Sequence, residues 1–179
     1  MEIRTVGDPV LRQVAAEITD VDDRLVRLTE QMFVTMYEAP GIGLAAPQIG
    51  VQQRLFVYDL GDGEQHVLVN PEIVESEGEW LYEEGCLSIP GLSFEIVRPK
   101  IVHLRGRDLD GNEVELEADE LLARLFQHEL DHLNGVLMLD HLEEDDRKWA
   151  MKQLRERELA RSMQQRPAPA AGTGGLQLP

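Results

Sequence analysis

The chain lacks most features that mark secreted, membrane or nucleic-acid-binding proteins. It has one cysteine, Cys86, among 179 residues, so no intrachain disulfide can form. Its apolar runs are too short for a transmembrane helix, and residues 1–4 do not begin a signal peptide. With 34 acidic and 17 basic residues, the formal net charge is −17, which disfavours DNA binding by the body of the protein. We therefore expect a cytoplasmic protein that binds neither membrane nor DNA.

Aromatic residues are also scarce, yet the composition is that of an ordinary globular protein. Hydrophobic residues make up 42% of the chain and aromatic residues 5%. This length suits one domain with a full hydrophobic core, and we predict that it covers residues 1–165. Residues 166–179 are rich in Pro, Gly and Ala, and they are predicted to be a disordered tail.

Hydrophobic periodicity predicts both helices and strands. Apolar residues recur at helical spacing over residues 23–38, and this pattern ends at Pro40. Segments 54–60, 66–70 and 96–116 are rich in Val, Ile, Leu and Phe, which predicts strands, the last forming a hairpin about a turn at 108–112. A charged helix is predicted from about 143 to 165.

The segment Gln127–His132 contains the pattern His-Glu-x-x-His. A spacing of four places His128 and His132 on the same face of a helix, where both can reach one metal ion. Glu129 lies beside the first histidine and is close enough to exchange a proton with water at that metal. Two solvated surface histidines are the alternative explanation of this pattern alone.

The residues before the histidines favour a buried position for them. Leu121 and Leu125 continue the same helical stripe, which predicts that the histidines face the core. Buried imidazoles need polar partners, and a shared metal would satisfy both. Asp119 is a start signal for the helix, and Gly135 is a stop signal.

Two histidines leave a catalytic metal one ligand short of the usual three. Cys86 is the best candidate, because it lies in a loop-like segment bounded by Gly85 and Pro90. A lone cysteine that is only a small buried hydrophobe is the alternative. Glu84 and Asp131 remain alternative third ligands, although Asp131 should point away from the histidine face.

Three segments together resemble the signature motifs of bacterial peptide deformylases, in the same order. They are Gly41–Gln48 (GIGLAAPQ), Glu84–Ser88 (EGCLS) and Gln127–His132 (QHELDH), and the likeness extends from about Ile3 to Leu142. The resemblance implies an α+β fold, with antiparallel strands around a central metal-binding helix, an N-terminal helix and a charged C-terminal helix. It further implies removal of the formyl group from the N-terminal formyl-methionine of new polypeptides. The implied metal is one Fe²⁺ ion, although Zn²⁺, Ni²⁺ or Co²⁺ would also suit this ligand set.

The resemblance assigns a role to individual residues. Cys86, His128 and His132 would bind the metal, and Glu129 would transfer the proton. The Gln48 side chain and the Leu87 backbone N–H would stabilise the oxyanion. The peptide backbone would pair with Ile42, Gly43 and Gly85. The methionine pocket would be lined by Ile42, Tyr82, Leu121, Leu125 and His128.

Two arginines are also predicted to influence the site. We expect Arg98 to pair with Glu84 and so hold the cysteine loop, with a solvated surface charge as the alternative. Arg124, one turn before His128, stands where many relatives carry an apolar residue, which alters the expected pocket.

Two other functions are compatible with a His-Glu-x-x-His helix. A zinc metalloprotease often takes a third ligand downstream, and only Asp140 and His141 keep that option open here. A non-enzymatic module with a structural metal would need a fourth protein ligand and would leave Glu129 without a role.

The C-terminal helix has an unusual charge for so acidic a chain. Residues 147–166 contain seven basic and two acidic side chains, after an acidic start at 143–146. Complementarity to the helix dipole explains this polarity but not the excess of basic residues. We expect this segment to contact ribosomal RNA phosphates.

Overall fold

The computed structural model describes residues 1–164, which form helices and antiparallel strands. The helices are α1 Asp23–Glu38, α2 Glu120–Leu133 and α3 Glu144–Gln164. The strands are β1 Gly43–Ala45, β2 Leu55–Tyr58, β3 His66–Glu77, β4 Trp80–Cys86, β5 Ile89–Arg98, β6 Ile101–Arg107 and β7 Glu113–Asp119. Short 3₁₀ turns cover Pro9–Arg12, Ala46–Ile49 and Met138–His141. The predicted α+β architecture is confirmed.

The strands form two antiparallel sheets. The five-stranded sheet has the order β1-β2-β3-β6-β7, so β1 lies at one edge. The second sheet contains only β4 and β5. Among the described residues, β1 and β4 therefore each pair on one side only, which leaves a free edge on each strand.

Helix α2 packs its apolar stripe into the core. Phe126 contacts the rings of Phe56 and Tyr58 from β2, with ring centroids 6.0 and 5.3 Å apart. The helix follows Asp119, and the chain turns away at Gly135, whose φ of 72° suits glycine. Tertiary packing thus fixes the helix that carries both histidines.

Helix α1 covers a second apolar cluster. Its side chains Leu25, Met32 and Met36 are buried with Leu44 of β1 and Val57 of β2. Asp22 caps the helix by accepting hydrogen bonds from the backbone N–H groups of residues 24 and 25. The observed bounds match the segment predicted from periodicity.

The sequence predicted the strands rich in acidic residues only in part. Strand β3 extends to Glu77, beyond the predicted end at residue 70, and β4 and most of β5 were not predicted. Their many glutamates lower the apparent strand propensity, but pairing with a neighbouring strand offsets this. For example, Glu72 of β3 faces Arg105 of β6 and accepts its hydrogen bonds.

The chain divides into two compact units, Met1–Glu143 and Glu144–Pro179. In the second unit the described part is α3, whose exposed side chains include the pair Lys148–Glu144 at 2.6 Å. The predicted single domain over 1–165 stays a prediction, and the predicted disordered tail lies outside the described residues. None of the helices within residues 1–164 is long and apolar enough to cross a membrane.

Candidate metal centre and active site

The two histidines of α2 lie on its inner face, one turn apart. Their ring centroids are 4.9 Å apart, and the exposed fractions are 9% for His128 and 1% for His132. The helical stripe predicted this burial. Nδ1 of His132 is buried without a hydrogen-bond partner in the described structure.

Cys86 joins the histidines from the end of β4. The β4–β5 pairing changes register between Gly85 and Cys86, which turns the chain at the thiol. Its Sγ lies 3.2 Å from Nε2 of His132, and the ligand atoms of Cys86, His128 and His132 are all within 4.8 Å of one another. Within residues 1–164, no fourth His, Cys, Asp or Glu completes this group.

The three donors fit a divalent transition metal. One sulfur and two imidazole nitrogens suit Fe²⁺, Zn²⁺, Ni²⁺ and Co²⁺. Nδ1 of His128 bonds to Glu84 at 2.6 Å, which leaves its Nε2 for the cluster. Three protein ligands and an open position are typical of a catalytic rather than a structural metal site.

Glu84 is buried behind His128 and is held by charged partners. Arg98 donates to both carboxylate oxygens, from Nε and Nη2, each at 2.8 Å. Burial alone would raise the pKa of Glu84, but the hydrogen bonds from Arg98 and His128 outweigh it and keep the pKa well below its usual value. The expected Arg98–Glu84 ion pair is therefore present, and neither side chain is solvated.

Arg124 also belongs to this network, through a contact with Glu84 that the sequence did not predict. It was expected to alter the pocket, and it does line the cleft, but its Nη1 also donates to Glu84 at 2.9 Å. Its side chain is 4% exposed. The spacing of four between Arg124 and His128 was a signal that both share one helix face.

Glu129 occupies a different environment on the other side of the cluster. It is buried against β1, where a Cβ at Gly43 would collide with its carboxylate. Its Oε2 is buried without a hydrogen-bond partner among the described residues. Burial is the largest cause of the shift that raises the pKa of Glu129 to about 7. A carboxyl group with such a pKa can accept and return a proton near neutral pH.

Gln48 is fixed by local hydrogen bonds within a 3₁₀ turn. Its Oε1 accepts from the backbone N–H of Ala45 at 2.8 Å, which leaves Nε2 to donate to Ser88 Oγ at 3.2 Å. The same Nε2 lies 3.8 Å from Sγ of Cys86. Ser88, which sequence analysis did not single out, thus helps to orient the amide towards Cys86.

A cleft of about 460 Å³ opens beside the cluster. Its lining includes most of the predicted site residues: Ile42, Gly43, Gln48, Tyr82, Glu84, Gly85, Cys86, Leu87, Leu121, Leu125, His128 and Glu129. His132 and Arg98 are not part of this lining. The structure thus brings the three sequence motifs together around one cleft.

The carboxylates that remained alternative ligands have other partners. Glu84 faces the two arginines, and Asp131 accepts from Arg98 Nη1 at 2.9 Å. His141 was a possible third metal ligand in the metalloprotease alternative, and its Nε2 lies 2.7 Å from the Asp131 carboxylate. Glu84, Asp131 and His141 are therefore held by other side chains and are not part of the Cys86–His128–His132 group.

Comparison with known proteins identifies the family. The family model described as Polypeptide deformylase matches residues 1–148. A peptide deformylase of Clostridium botulinum is 51% identical over 138 residues, which cover 77% of this chain and 93% of that protein. The crystal structure of a peptide deformylase from Legionella pneumophila matches with a TM-score of 0.86 at 43% identity, covering 93% of this chain and 98% of the other. A peptide deformylase from Synechococcus elongatus, solved in complex with actinonin, has a TM-score of 0.82 at 44% identity, covering 86% of this chain and 85% of the other. The chain therefore belongs to the polypeptide deformylase family.

Proposed function

We propose that this cleft is the active site with which the chain, as a hydrolase of its family, removes the formyl group from the N-terminal formyl-methionine of newly synthesised polypeptides. The reaction consumes water and releases formate and a free amine. The observation that carries the proposal is the meeting of Cys86, His128, His132 and Glu129 beside one cleft. The family matches give the activity, and these contacts support the role of each residue.

Cys86, His128 and His132 would hold one divalent metal ion, which we propose to be Fe²⁺. Such an ion supplies a Lewis acid that lowers the pKa of water towards neutrality. Glu84 supports this assignment, because its bond to Nδ1 of His128 fixes the ring with Nε2 towards the cluster.

Glu129 would take a proton from the attacking water and deliver it to the leaving amine. Its pKa of about 7, raised mainly by burial, suits a group that must accept and return a proton. Its Oε2, which is buried without a hydrogen-bond partner among residues 1–164, would bind the attacking water. Transfer by a positioned acid or base commonly contributes about 10²–10⁴-fold to a rate.

Gln48 and Leu87 would stabilise the negative charge that develops on the formyl oxygen. The Gln48 amide is already oriented by Ala45 and Ser88, so little reorganisation is needed during the reaction. The backbone N–H of Leu87 follows Cys86 directly and would provide the second donor. One such donor is commonly worth about 3 kcal/mol.

The substrate backbone would lie between the two free strand edges. Gly43 lies in the edge strand β1, and Ile42 precedes it. Gly85 lies in β4, which also has a side that no described strand pairs with. Main-chain pairing of this kind binds peptides largely without regard to their side chains. This suits an enzyme that acts on many different nascent chains.

The methionine side chain would enter the apolar part of the cleft. We assign Ile42, Tyr82, Leu121, Leu125 and His128 to this pocket. Ile42, Tyr82 and Leu121 are each at least 40% exposed, so they offer apolar surface that the folded chain leaves uncovered. The ion pair between Glu84 and Arg98 would hold the cysteine-bearing strand β4 in place beside the pocket.

Two measurements on anaerobically prepared protein test the proposal: formate release from a formyl-Met-Ala peptide, and analysis of the bound metal. We expect one metal ion per chain and formate production that depends on it. Metal-bound protein without formate release would contradict the activity. Release that persists after complete metal removal would contradict the role of the metal.

Exposure to air tests the assignment of Fe²⁺. A ferrous ion beside a thiolate ligand is sensitive to oxidation, so iron-loaded protein should lose activity in air. Protein loaded with Ni²⁺ or Co²⁺ should remain active for longer under the same conditions. Equal durability with every metal would contradict iron as the native ion.

We also propose that α3 binds the ribosome in the cytoplasm, where newly synthesised chains emerge. Its basic side chains include Arg147, Lys152, Arg155 and Arg161, all on one exposed helix. Contacts with RNA phosphates should weaken steeply with salt, because each contact releases counterions. Cosedimentation with ribosomes should fall when these four residues are changed to Gln, whereas hydrolysis of short peptides should not. Equal pelleting of both proteins would contradict docking.

A further inference from the structure

The buried Glu84 carboxylate has two guanidinium partners. Arg98 donates to both of its oxygens, and Arg124 donates from Nη1 to Oε2 at 2.9 Å. Glu84, Arg98 and Arg124 are 5%, 4% and 3% exposed, respectively. Burying a second cation is unfavourable unless it is paired and hydrogen-bonded, so the position of Arg124 calls for a physical explanation.

The two arginines are not equivalent, because Arg98 is shared. Its Nη1 also donates to Asp131, at 2.9 Å, and so part of its charge is balanced outside the Glu84 carboxylate. Arg124 brings the network to two guanidinium groups and two carboxylates. Because Arg98 pairs with both Glu84 and Asp131, Arg124 provides the second positive charge that balances these two carboxylates.

The strand β4 holds the Arg124 guanidinium in place. Trp80 and Tyr82 are alternate residues of this strand, and their rings stack at 4.5 Å. Cζ of Arg124 lies 5.2 Å from the Trp80 ring centroid and 5.8 Å from that of Tyr82, and its Nη2 donates to the Trp80 carbonyl. Hydrogen bonds and ring contacts therefore fix the guanidinium from two directions.

The carboxylate connects Arg124 with His128. Arg124 bonds to Oε2 of Glu84, while Oε1 lies 2.6 Å from Nδ1 of His128. Arg124 and His128 are four residues apart on α2, so one carboxylate joins two successive turns of the helix. Because Arg124 holds Oε2 of Glu84, the other oxygen, Oε1, has a fixed position relative to the His128 ring.

We propose that Arg124 is a positioning residue for His128, acting through Glu84, and that Trp80 and Tyr82 hold it in place. This inference rests on the proposed function, because it takes His128 as a metal ligand. Groups that orient a ligand histidine commonly change metal affinity by about 10–100-fold when they are removed. The prediction therefore concerns metal retention rather than the chemical step.

The test compares Ni²⁺-loaded wild type with Arg124→Leu, Arg124→Lys and Arg105→Leu. Each protein is incubated with excess EDTA, and the retained Ni²⁺ is measured by metal analysis after desalting. We expect Arg124→Leu to lose Ni²⁺ at least about 10-fold faster than wild type. Arg124→Lys keeps the charge without the forked donors, so it should lie between them. Arg105→Leu removes an exposed arginine that pairs with Glu72, and it should retain Ni²⁺ as wild type does.

The outcomes separate this inference from the proposed function. Wild type that does not bind Ni²⁺ would overturn the proposed metal site, and the inference would fail with it. If Arg124→Leu binds and retains Ni²⁺ as wild type does, only the inference is overturned. A lower melting temperature of the metal-free variant with an unchanged rate of Ni²⁺ loss would indicate a merely structural role and also overturn it. If Arg124→Leu does not fold, Arg124→Lys decides, and wild-type retention by that variant would count against the inference.

The visible spectrum of the Co²⁺-loaded protein provides a second readout. Its bands depend on how the ligands surround the ion, so an altered His128 ring should shift them. We expect a shift for Arg124→Leu and none for Arg105→Leu. Identical spectra for wild type and Arg124→Leu would overturn the inference.

Discussion

Two buried carboxylates flank the same group of ligands in opposite environments. Glu84 receives hydrogen bonds from Arg98, Arg124 and His128, and its pKa lies well below the usual value. Glu129 is equally buried, yet its Oε2 has no hydrogen-bond partner in the described structure. Its pKa is raised to about 7, mainly by burial.

The difference shows how one residue type can serve two purposes in a small volume. Positive partners keep Glu84 ionised, which suits a group that must hold an imidazole in place. Burial with few partners leaves Glu129 able to gain or lose a proton. We infer that the Glu84 side of the site controls metal retention, whereas the Glu129 side controls the chemical step.

Cys86→Ala should have the largest effect, because it removes a proposed metal ligand on which both metal binding and the chemical step depend. Two histidines alone hold a divalent ion poorly, so bound metal and activity should be lost together. Metal analysis and formate release from one preparation check this. A variant that still binds one tight equivalent and works would show that the third ligand lies elsewhere.

Gln48→Ala tests the Glu129 side of the comparison. It should lower kcat by about 10²–10³-fold, because it removes the proposed preorganised oxyanion donor. KM and metal content should change little, since the donor acts mainly in the transition state. An effect confined to KM would place Gln48 in ground-state binding instead.

Glu84→Gln tests whether the Glu84 side of the site controls metal retention. The neutral amide cannot balance Arg98 and Arg124, and it orients His128 less well, so metal affinity should fall by about 10–100-fold. At saturating metal, kcat should stay within about tenfold of wild type, because Glu129 and Gln48 are untouched. Competition with a chelator measures the affinity. An unchanged affinity together with a collapsed kcat would reverse the assignment of the two carboxylates.

Arg105→Leu should have the smallest effect, a small change in the free energy of unfolding. It shows what a guanidinium–carboxylate pair contributes when it is exposed rather than buried. Arg105 and Glu72 form a similar guanidinium–carboxylate pair, but both side chains are 59% exposed. Exposed pairs of this kind contribute about 0–1 kcal/mol to the free energy of unfolding. Urea denaturation should therefore detect a change of at most about 1 kcal/mol. A loss of several kcal/mol would show that exposure does not weaken such pairs here.

The helices α1 and α2 and the placement of the two histidines could be predicted because their signals are local. Helical periodicity located α1 and α2, and the spacing of His128 and His132 placed both on one face of α2. The Arg98–Glu84 pair was expected from resemblance and is present in the structure. The specific metal and the roles of the individual residues remain proposals.

Contacts between distant segments could not be predicted from these patterns. No local periodicity indicates that Arg124 on α2 donates a hydrogen bond to Glu84 on β4. None indicates that Arg98 pairs with Asp131 as well as with Glu84. The strand β4 was missed because its glutamates resemble a solvated loop, whereas Glu84 is buried by partners from another strand and a helix. Sequence patterns report which face is apolar, but not which charges meet.

Glu129→Gln tests the division between the two carboxylates most directly, when metal content and kcat are measured on the same preparation. Gln keeps the size of the side chain but cannot carry the proton. We predict one metal ion per chain, as in wild type, and a kcat lowered by about 10²–10⁴-fold. Loss of the metal, or a fully metal-loaded variant with kcat near that of wild type, would contradict the account.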